Sequence, residues 1–290
     1  GVTSNMACIS ALFSMMYRFK TILLENHQQR YMIESFVRFR TNHHLIYEKS
    51  KYHYEHTGMN SIFYNLSLKE ESYYNNDRDY KNVVKMIEGV SDELLDNQLF
   101  YIPYGNRTNK LIYDYDLNKY ILIILQASKI FADLTFIDTR KNDSLSSQVI
   151  LNEADLIVVN LSQDQKELHC FFKDYSSIVS RCIFLISNYD HNSYLNLKKI
   201  SKIYSIDQSK IAAIPFNLEY QEALEYGMLL NFLISNYRCK KDQPNYTFMR
   251  ELRIATFKLH KCIKEILEEK RQCEGIKEGG DRISNYEKKS

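Results

Sequence analysis

The sequence predicts an α/β fold, with a doubly wound, mostly parallel sheet covered by helices on both faces. Three observations carry this. Six short runs are apolar without alternation, helix-length segments lie between them, and the 290 residues include only 8 Gly and 3 Pro. Continuous apolar runs suit strands buried on both faces, as in a parallel sheet whose crossover helices cover both sides. Scarce Gly and Pro disfavour a sandwich or barrel made of many tight turns.

The elements follow in order. From Thr3 to Tyr17 no Gly or Pro interrupts Met6, Ile9, Leu12, Phe13 and Met16, which recur at helical spacing behind Thr3 and Ser4 as cap candidates. Thr21–Leu24 is the first strand, followed by Leu99–Ile102, Leu134–Ile137, Leu156–Val159, Ile183–Ile186 and Ile211–Ile214. Helices are expected from Asn109 to Phe131, Gln163 to Val179 and Glu219 to Asn236. From about Tyr47 to Asn82 the chain is polar and rich in Tyr and Asn, giving no clear element. Leu252, Ala255, Leu259, Cys262, Ile263 and Ile266 define one face of a closing helix from Phe248 to Leu267. After it the chain is charged and carries Gly275, Gly279 and Gly280, as a mobile tail would. No linker composition and no internal repeat divides the chain, so the expected organisation is one domain over 1–238, its closing helix within 239–270, and a tail over 271–290.

Composition narrows the function. Hydrophobic residues make up 44% and charged residues 26%, which excludes wholesale disorder. A net charge of +2 gives no electrostatic case for nucleic acid. No run is long and apolar enough to span a membrane and no secretory leader is visible, so a cytoplasmic location is expected. The chain opens at Gly1 rather than Met, as a fragment or processed form would. Six scattered Cys lack the spacing of a zinc or redox pair and are expected to be free thiols. His43, His44, His53 and His56 cluster, but in a polar segment better read as solvated than as a metal site.

In an open parallel sheet ligands sit beyond the carboxyl ends of the strands, so those ends are where chemistry is sought. Asp138 closes Leu134–Ile137 with a carboxylate placed to hold Mg²⁺ beside a phosphate, although a strand-end Asp more often caps or turns. Glu25-Asn26-His27 and Asn188-Tyr189-Asp190 follow two other strands, and Ile214-Pro215-Phe216-Asn217 leads on to Ala223 and Gly227.

Taken together, Leu134-Thr135-Phe136-Ile137-Asp138-Thr139, then Ala154-Asp155-Leu156-Ile157-Val158-Val159-Asn160, then Ile214-Pro215-Phe216-Asn217 with Ala223 and Gly227 resemble the ParA/MinD group of P-loop ATPases. The likeness covers roughly residues 1 to 238 and is nearest to divergent members from AT-rich Gram-positive bacteria, including relatives of the pilus-assembly ATPase TadZ. It implies a P-loop NTPase-like fold, ATP and Mg²⁺ as cofactors, a partner protein to be assembled or positioned, and pairing as a homodimer. Gly1-Val2-Thr3-Ser4 would be the end of the phosphate loop and the start of its helix, with the first strand and most of the loop absent. The resemblance assigns Gly1, Thr3, Ser4 and Glu25 to the phosphate end, Thr3 and Asp138 to the metal, and Asn188, Pro215 and Asn217 to the adenine end. A helix N-terminus is an anion site whatever its side chains are, which makes the assignment physically reasonable.

The departures point the other way. Val2 stands where the family has Lys, and an apolar side chain cannot neutralise phosphate charge. His27 stands where a water-orienting Asp is expected, and the Asp-Thr-Pro-Pro-Gly switch has become Asp138-Thr139-Arg140-Lys141-Asn142. Arg140 and Lys141 offer replacement charge or a plain solvated loop. Three such losses, each on the order of tenfold in rate, imply hydrolysis that is weak or absent. Three functions stay open: a nucleotide switch acting on a partner, an interaction scaffold that keeps only the fold, or an active ATPase whose lysine is supplied upstream of Gly1. Membrane contact through the closing helix is not expected, because its stripe is narrow and Glu265, Glu268 and Glu269 offset Arg253, Lys258, Lys261 and Lys264.

Overall fold

Each apolar run between Thr21 and Pro215 becomes a strand, and the strands assemble into two sheets. The computed structural model describes residues 2–26, 32–36, 58–68, 77–104, 109–139 and 144–287. Gly1, His27, Arg140, Lys141 and the histidines at 43, 44, 53 and 56 lie outside the described residues. Contacts gather the chain into two units, Gly1–Ala154 with Phe216–Met249, and Asp155–Pro215 with Arg250–Ser290. The chain leaves the first unit at Asp155 and re-enters it at Phe216, a path that no change of composition announces.

The first unit opens with α1 (Val2–Tyr17), so Thr3 and Ser4 lie inside the first turn rather than ahead of it as caps. Its Ser10 and Ser14 are buried without cost because each hydroxyl donates to a carbonyl one turn back, Ala7 O and Ser10 O. β1 (Thr21–Glu25) is buried at every position. It pairs in parallel with β3 (Leu99–Tyr101) on one side and with β4 (Leu134–Asp138) on the other. β2 (Asp92–Leu95), absent from the sequence reading, adds an antiparallel hairpin to β3, giving the order β2-β3-β1-β4. Its residues Asp92 and Glu93 carry no apolar pattern, and Asn97 supplies the left-handed turn (φ 52) that closes it.

Ile22 and Leu24 project from β1 into a core built with α2 (Gly58–Ser67), α3 (Asp77–Val90) and α4 (Lys110–Phe131). Asn109 caps α4 by accepting from the N–H groups of Leu111 and Ile112. α5 (Leu145–Glu153) packs beside α4 and is capped by Ser144. After the excursion through the second unit the chain adds α8 (Leu218–Glu225) and α9 (Leu229–Asn236). Gly227 (φ 63) ends α8 in the left-handed conformation that lets Met228 N–H reach back to Ala223 O, so one expected helix becomes two.

The second unit holds β5 (Ile157–Leu161), β6 (Cys182–Tyr189) and β7 (Ile211–Pro215), all parallel, in the order β5-β6-β7. Phe184, Ile186 and Ala213 face a core shared with α6 (Gln165–Asp174) and α7 (Leu197–Ile203). The alternate residues Ile183, Leu185, Ala212 and Ile214 are buried as well, as a two-sided parallel sheet requires. α10 (Tyr246–Glu287) is one helix, and runs past the end at Leu267 expected from its apolar stripe. No helix among the described residues is long and apolar enough to cross a membrane.

Candidate functional site

Only three residues, Arg18 to Lys20, join α1 to β1, and Arg18 takes a left-handed conformation (φ 57) to make the reversal. α1 therefore runs antiparallel to β1. At about 1.5 Å per residue its 16 residues cover the strand's length and more, so its first turn lies at the end of the sheet where β1 and β4 finish. Thr3 and Ser4 thus stand at the same end of the first unit as Glu25 and Asp138, which are register partners. The unpaired N–H groups of that first turn make it attractive to anions.

Asp138 is 1% exposed, and its backbone carbonyl accepts the N–H of Asn26 at 3.1 Å. Asn26, 5% exposed, donates from Nδ2 to Ser147 Oγ at 2.8 Å, while its Oδ1 is buried without a hydrogen-bond partner. Ser147 Oγ also accepts from Ser144 Oγ at 2.9 Å, and Ser146 N–H donates to Asn118 Oδ1 at 2.7 Å. A buried orphan acceptor costs about 1–3 kcal/mol, so its persistence beside a buried carboxylate marks a place that expects a donor.

Glu25 is differently employed. It accepts from the Tyr101 hydroxyl at 2.6 Å through Oε2 and from Met32 N–H at 2.9 Å through Oε1. Burial, reinforced by the Glu25 charge, pushes the Tyr101 hydroxyl well above its ordinary range, so it stays a donor. Burial likewise raises Tyr113, aided by Tyr104 and then Glu25. Oε1 of Glu25 thus anchors the 3₁₀ turn Met32–Ser35 to the end of β1, while Oε2 ties β1 to Tyr101 of β3. The hydroxyl of Tyr220 donates to Ser4 O at 2.9 Å, tying α8 to the first turn of α1. Burial also pushes the Cys8 thiol far up, against a weaker opposing hydrogen bond from Tyr220, which leaves it a neutral core group.

The oxygen chemistry of this end fits Mg²⁺. Asp138, the Thr3 hydroxyl and the Asn26 carbonyl are hard donors, and Mg²⁺ ordinarily takes one or two carboxylates with phosphate and water completing its shell. No group of three or more His, Cys, Asp or Glu that could enclose a metal exists among the described residues.

The residues assigned to the adenine end are divided between the two units. Asn188 and Pro215 belong to the second unit, Pro215 closing β7 as a buried residue. Asn188 is a bulge near the end of β6, where the register with β7 shifts between Ser187 and Tyr189. Its left-handed backbone (φ 49) leaves it exposed. Asn217 returns to the first unit, where Oδ1 caps α8 through Tyr220 N–H at 2.7 Å and Nδ2 donates to Asn245 Oδ1 at 2.8 Å. Asn245 in turn donates to Glu219 and Asn236, so both ends of the Asn217 amide are hydrogen-bonded within the first unit. A cavity of about 780 Å³ in the second unit lies at the opposite, amino ends of its strands, and there Asp155 and Lys270 are already paired at 2.6 Å.

Sequence reasoning placed Asn26 at a strand end without giving it a role, and missed Tyr101 and Ser147 as members of this end. Asn26 was within reach of the strand-end rule, since it follows Glu25 directly. Ser147 carries no local signal, because only the packing of α5 brings it to β1.

The fold these elements define is that of the ParA/MinD-type P-loop ATPases. The chain is similar to a ParA family ATPase from Chlorobium tepidum TLS, with a TM-score of 0.56, 16% identity and coverage of 89% of this chain and 92% of the other. It is also similar to the septum site-determining protein MinD of Pyrococcus horikoshii OT3, solved with Mg-ADP, at 0.55, 10%, 92% and 93%. A chain of the MinC:MinD cell division protein complex of Aquifex aeolicus matches at 0.53, 11%, 90% and 91%. No family model matches the sequence, and no curated protein matches it in sequence. At such identities the likeness establishes the fold.

Proposed function

We propose that this chain is a ParA/MinD-like nucleotide switch. It binds ATP with Mg²⁺ at the end of the first unit formed by α1, β1 and β4, hydrolyses it weakly or not at all, and uses the bound state to position or assemble a partner protein. The observation that carries this is the meeting of a buried carboxylate at Asp138, an unsatisfied buried acceptor at Asn26 and the first turn of α1 at one sheet end. Asp138 and Thr3 would hold the metal, Asn26 would accept from its water shell, and the first turn with Ser4 would face phosphate. The bound ion would supply positive charge against the phosphates. That charge matters more here than in the family, because Val2 brings none. The Mg-ADP of the similar P. horikoshii protein supports the ligand class, and the MinC bound to the A. aeolicus protein supports a protein partner.

A second reading has its own observations. Glu25 and Asn217 both spend their side chains on local structure, as they would in a scaffold that has abandoned nucleotide. Hydrogen exchange of the full chain with and without ATP and Mg²⁺ separates the two. The switch predicts slowed exchange in the first turn of α1 and around Asn26 and Asp138, lost in Asp138→Asn. Identical exchange with and without nucleotide would leave the scaffold.

A further inference from the structure

The side chain of Tyr220 touches two other helices of the first unit at once. It leaves α8 near that helix's start and is 2% exposed. Its hydroxyl donates to Ser4 O, in the first turn of α1, at 2.9 Å. Its ring centroid lies 4.8 Å from that of Phe248 in the first turn of α10, and Phe232 of α9 closes the cluster at 6.1 Å from Tyr220 and 5.9 Å from Phe248. Burial holds the hydroxyl well above its ordinary range, so it keeps its proton and stays a donor. Filling a core asks only that a buried tyrosine pack its ring and find a partner for its hydroxyl. The places its two ends reach go beyond that need.

The hydroxyl end meets the turn that would face phosphate. α1 and α8 also both pack against the 3₁₀ turn Met32–Ser35, which Glu25 Oε1 anchors to the end of β1. The ring end meets the start of a 42-residue helix. Amides brace that second contact: Asn217 Oδ1 accepts Tyr220 N–H at 2.7 Å, Asn217 Nδ2 donates to Asn245 Oδ1 at 2.8 Å, and Asn245 directly precedes Tyr246, where α10 begins. Packed interiors yield in discrete steps rather than by gradual bending, so a shift in the first turn of α1 is passed to α8 and from α8 to α10. We infer that Tyr220 is a positioning residue that couples the ligand state of the first turn of α1 to the start of α10, so that α10 carries the bound state onward. This rests on the nucleotide reading of the Asp138 end and names a regulation built onto that site.

Hydrogen exchange of the full chain with and without ATP and Mg²⁺ tests it in two peptides, one covering residues 2–9 and the other 245–252. In the parent both should slow on binding, the second about fivefold, the low end for coupled sites. Tyr220→Phe keeps the ring and removes the hydroxyl; it should keep the protection at 2–9 and lose that at 245–252. Phe248→Leu cuts the tie from the other side and should give the same split, which decides the matter if Tyr220→Phe folds poorly. Ser201→Ala removes a buried hydroxyl bond to Ile206 O in the second unit and should lose neither protection, which separates coupling from general loosening. Protection at 245–252 that survives both Tyr220→Phe and Phe248→Leu overturns the inference, as does its loss in Ser201→Ala. So does a parent protected at 2–9 but not at 245–252, a result that leaves the nucleotide reading standing. A parent protected at neither peptide overturns the nucleotide reading and the coupling with it.

Discussion

Tyr101→Phe removes a single hydroxyl from the buried end of the first unit's sheet and leaves the ring's packing in place. That hydroxyl donates to Glu25 Oε2 at 2.6 Å, with Tyr101 fully buried and Glu25 nearly so. A hydrogen bond to a charged acceptor contributes about 1.5–3 kcal/mol, so a loss of about 2 kcal/mol is expected, roughly thirtyfold in the unfolding equilibrium. For a chain of this size the midpoint should fall by about 4–8 °C. Urea denaturation followed by far-ultraviolet circular dichroism measures the loss, and a cycle with Glu25→Gln isolates the pair. Glu25→Gln should also be destabilising, because Gln replaces one acceptor oxygen with a donor against Tyr101 or Met32 N–H. The double variant should lose less than the sum of the singles. If Tyr101→Phe lies within about 0.5 kcal/mol of the parent, or the two changes simply add, then Glu25 is not the anchor described here and regains a claim to act on ligand.

Asn217→Ala should cost about 1–2 kcal/mol through the lost cap on α8, read by the same denaturation, and should leave nucleotide affinity unchanged if the side chain is structural. Tyr101, Tyr113 and Tyr220 all have hydroxyls raised above the ordinary value of 10.0 chiefly by burial. The folded state therefore holds protons that the unfolded state releases, so their contribution is whole below about pH 10 and is lost as pH rises beyond it. Absorbance at 295 nm should show these tyrosinates appearing together with unfolding; their ionisation in a chain still folded would contradict it. Phosphate release from ATP should be negligible and equal in the parent and Asp138→Ala, whereas turnover near one per second that vanishes in the variant would restore a working ATPase.

Among the described residues six of the seven strands were legible as unbroken apolar runs, the pattern that burial on both faces writes in Ile183–Ile186 and Ile211–Ile214. β2 was not, since an edge strand of Asp92, Glu93, Leu94 and Leu95 owes its place to the neighbouring Leu99–Tyr101 rather than to its own pattern. The strand-end rule brought Glu25 and Asp138 forward, and the structure sets them side by side. What it could not supply was how each side chain is spent. The bonds that occupy Glu25 and Asn217, and the orphan oxygen of Asn26, arise from Tyr101, Met32, Asn245 and Ser147, residues 7 to 121 positions away. The two-sheet arrangement was likewise invisible, because no linker marks Asp155 or Phe216.

The central claim is that nucleotide and metal meet at Asp138. Isothermal titration of the full chain with ATP, with and without Mg²⁺, in the parent and in Asp138→Asn, tests it most directly. The account predicts weak binding by the parent that tightens about tenfold or more with Mg²⁺, a gain of about 1.4 kcal/mol, and that loses this dependence in Asp138→Asn. Absence of any binding, or binding indifferent to both the metal and the substitution, would contradict it.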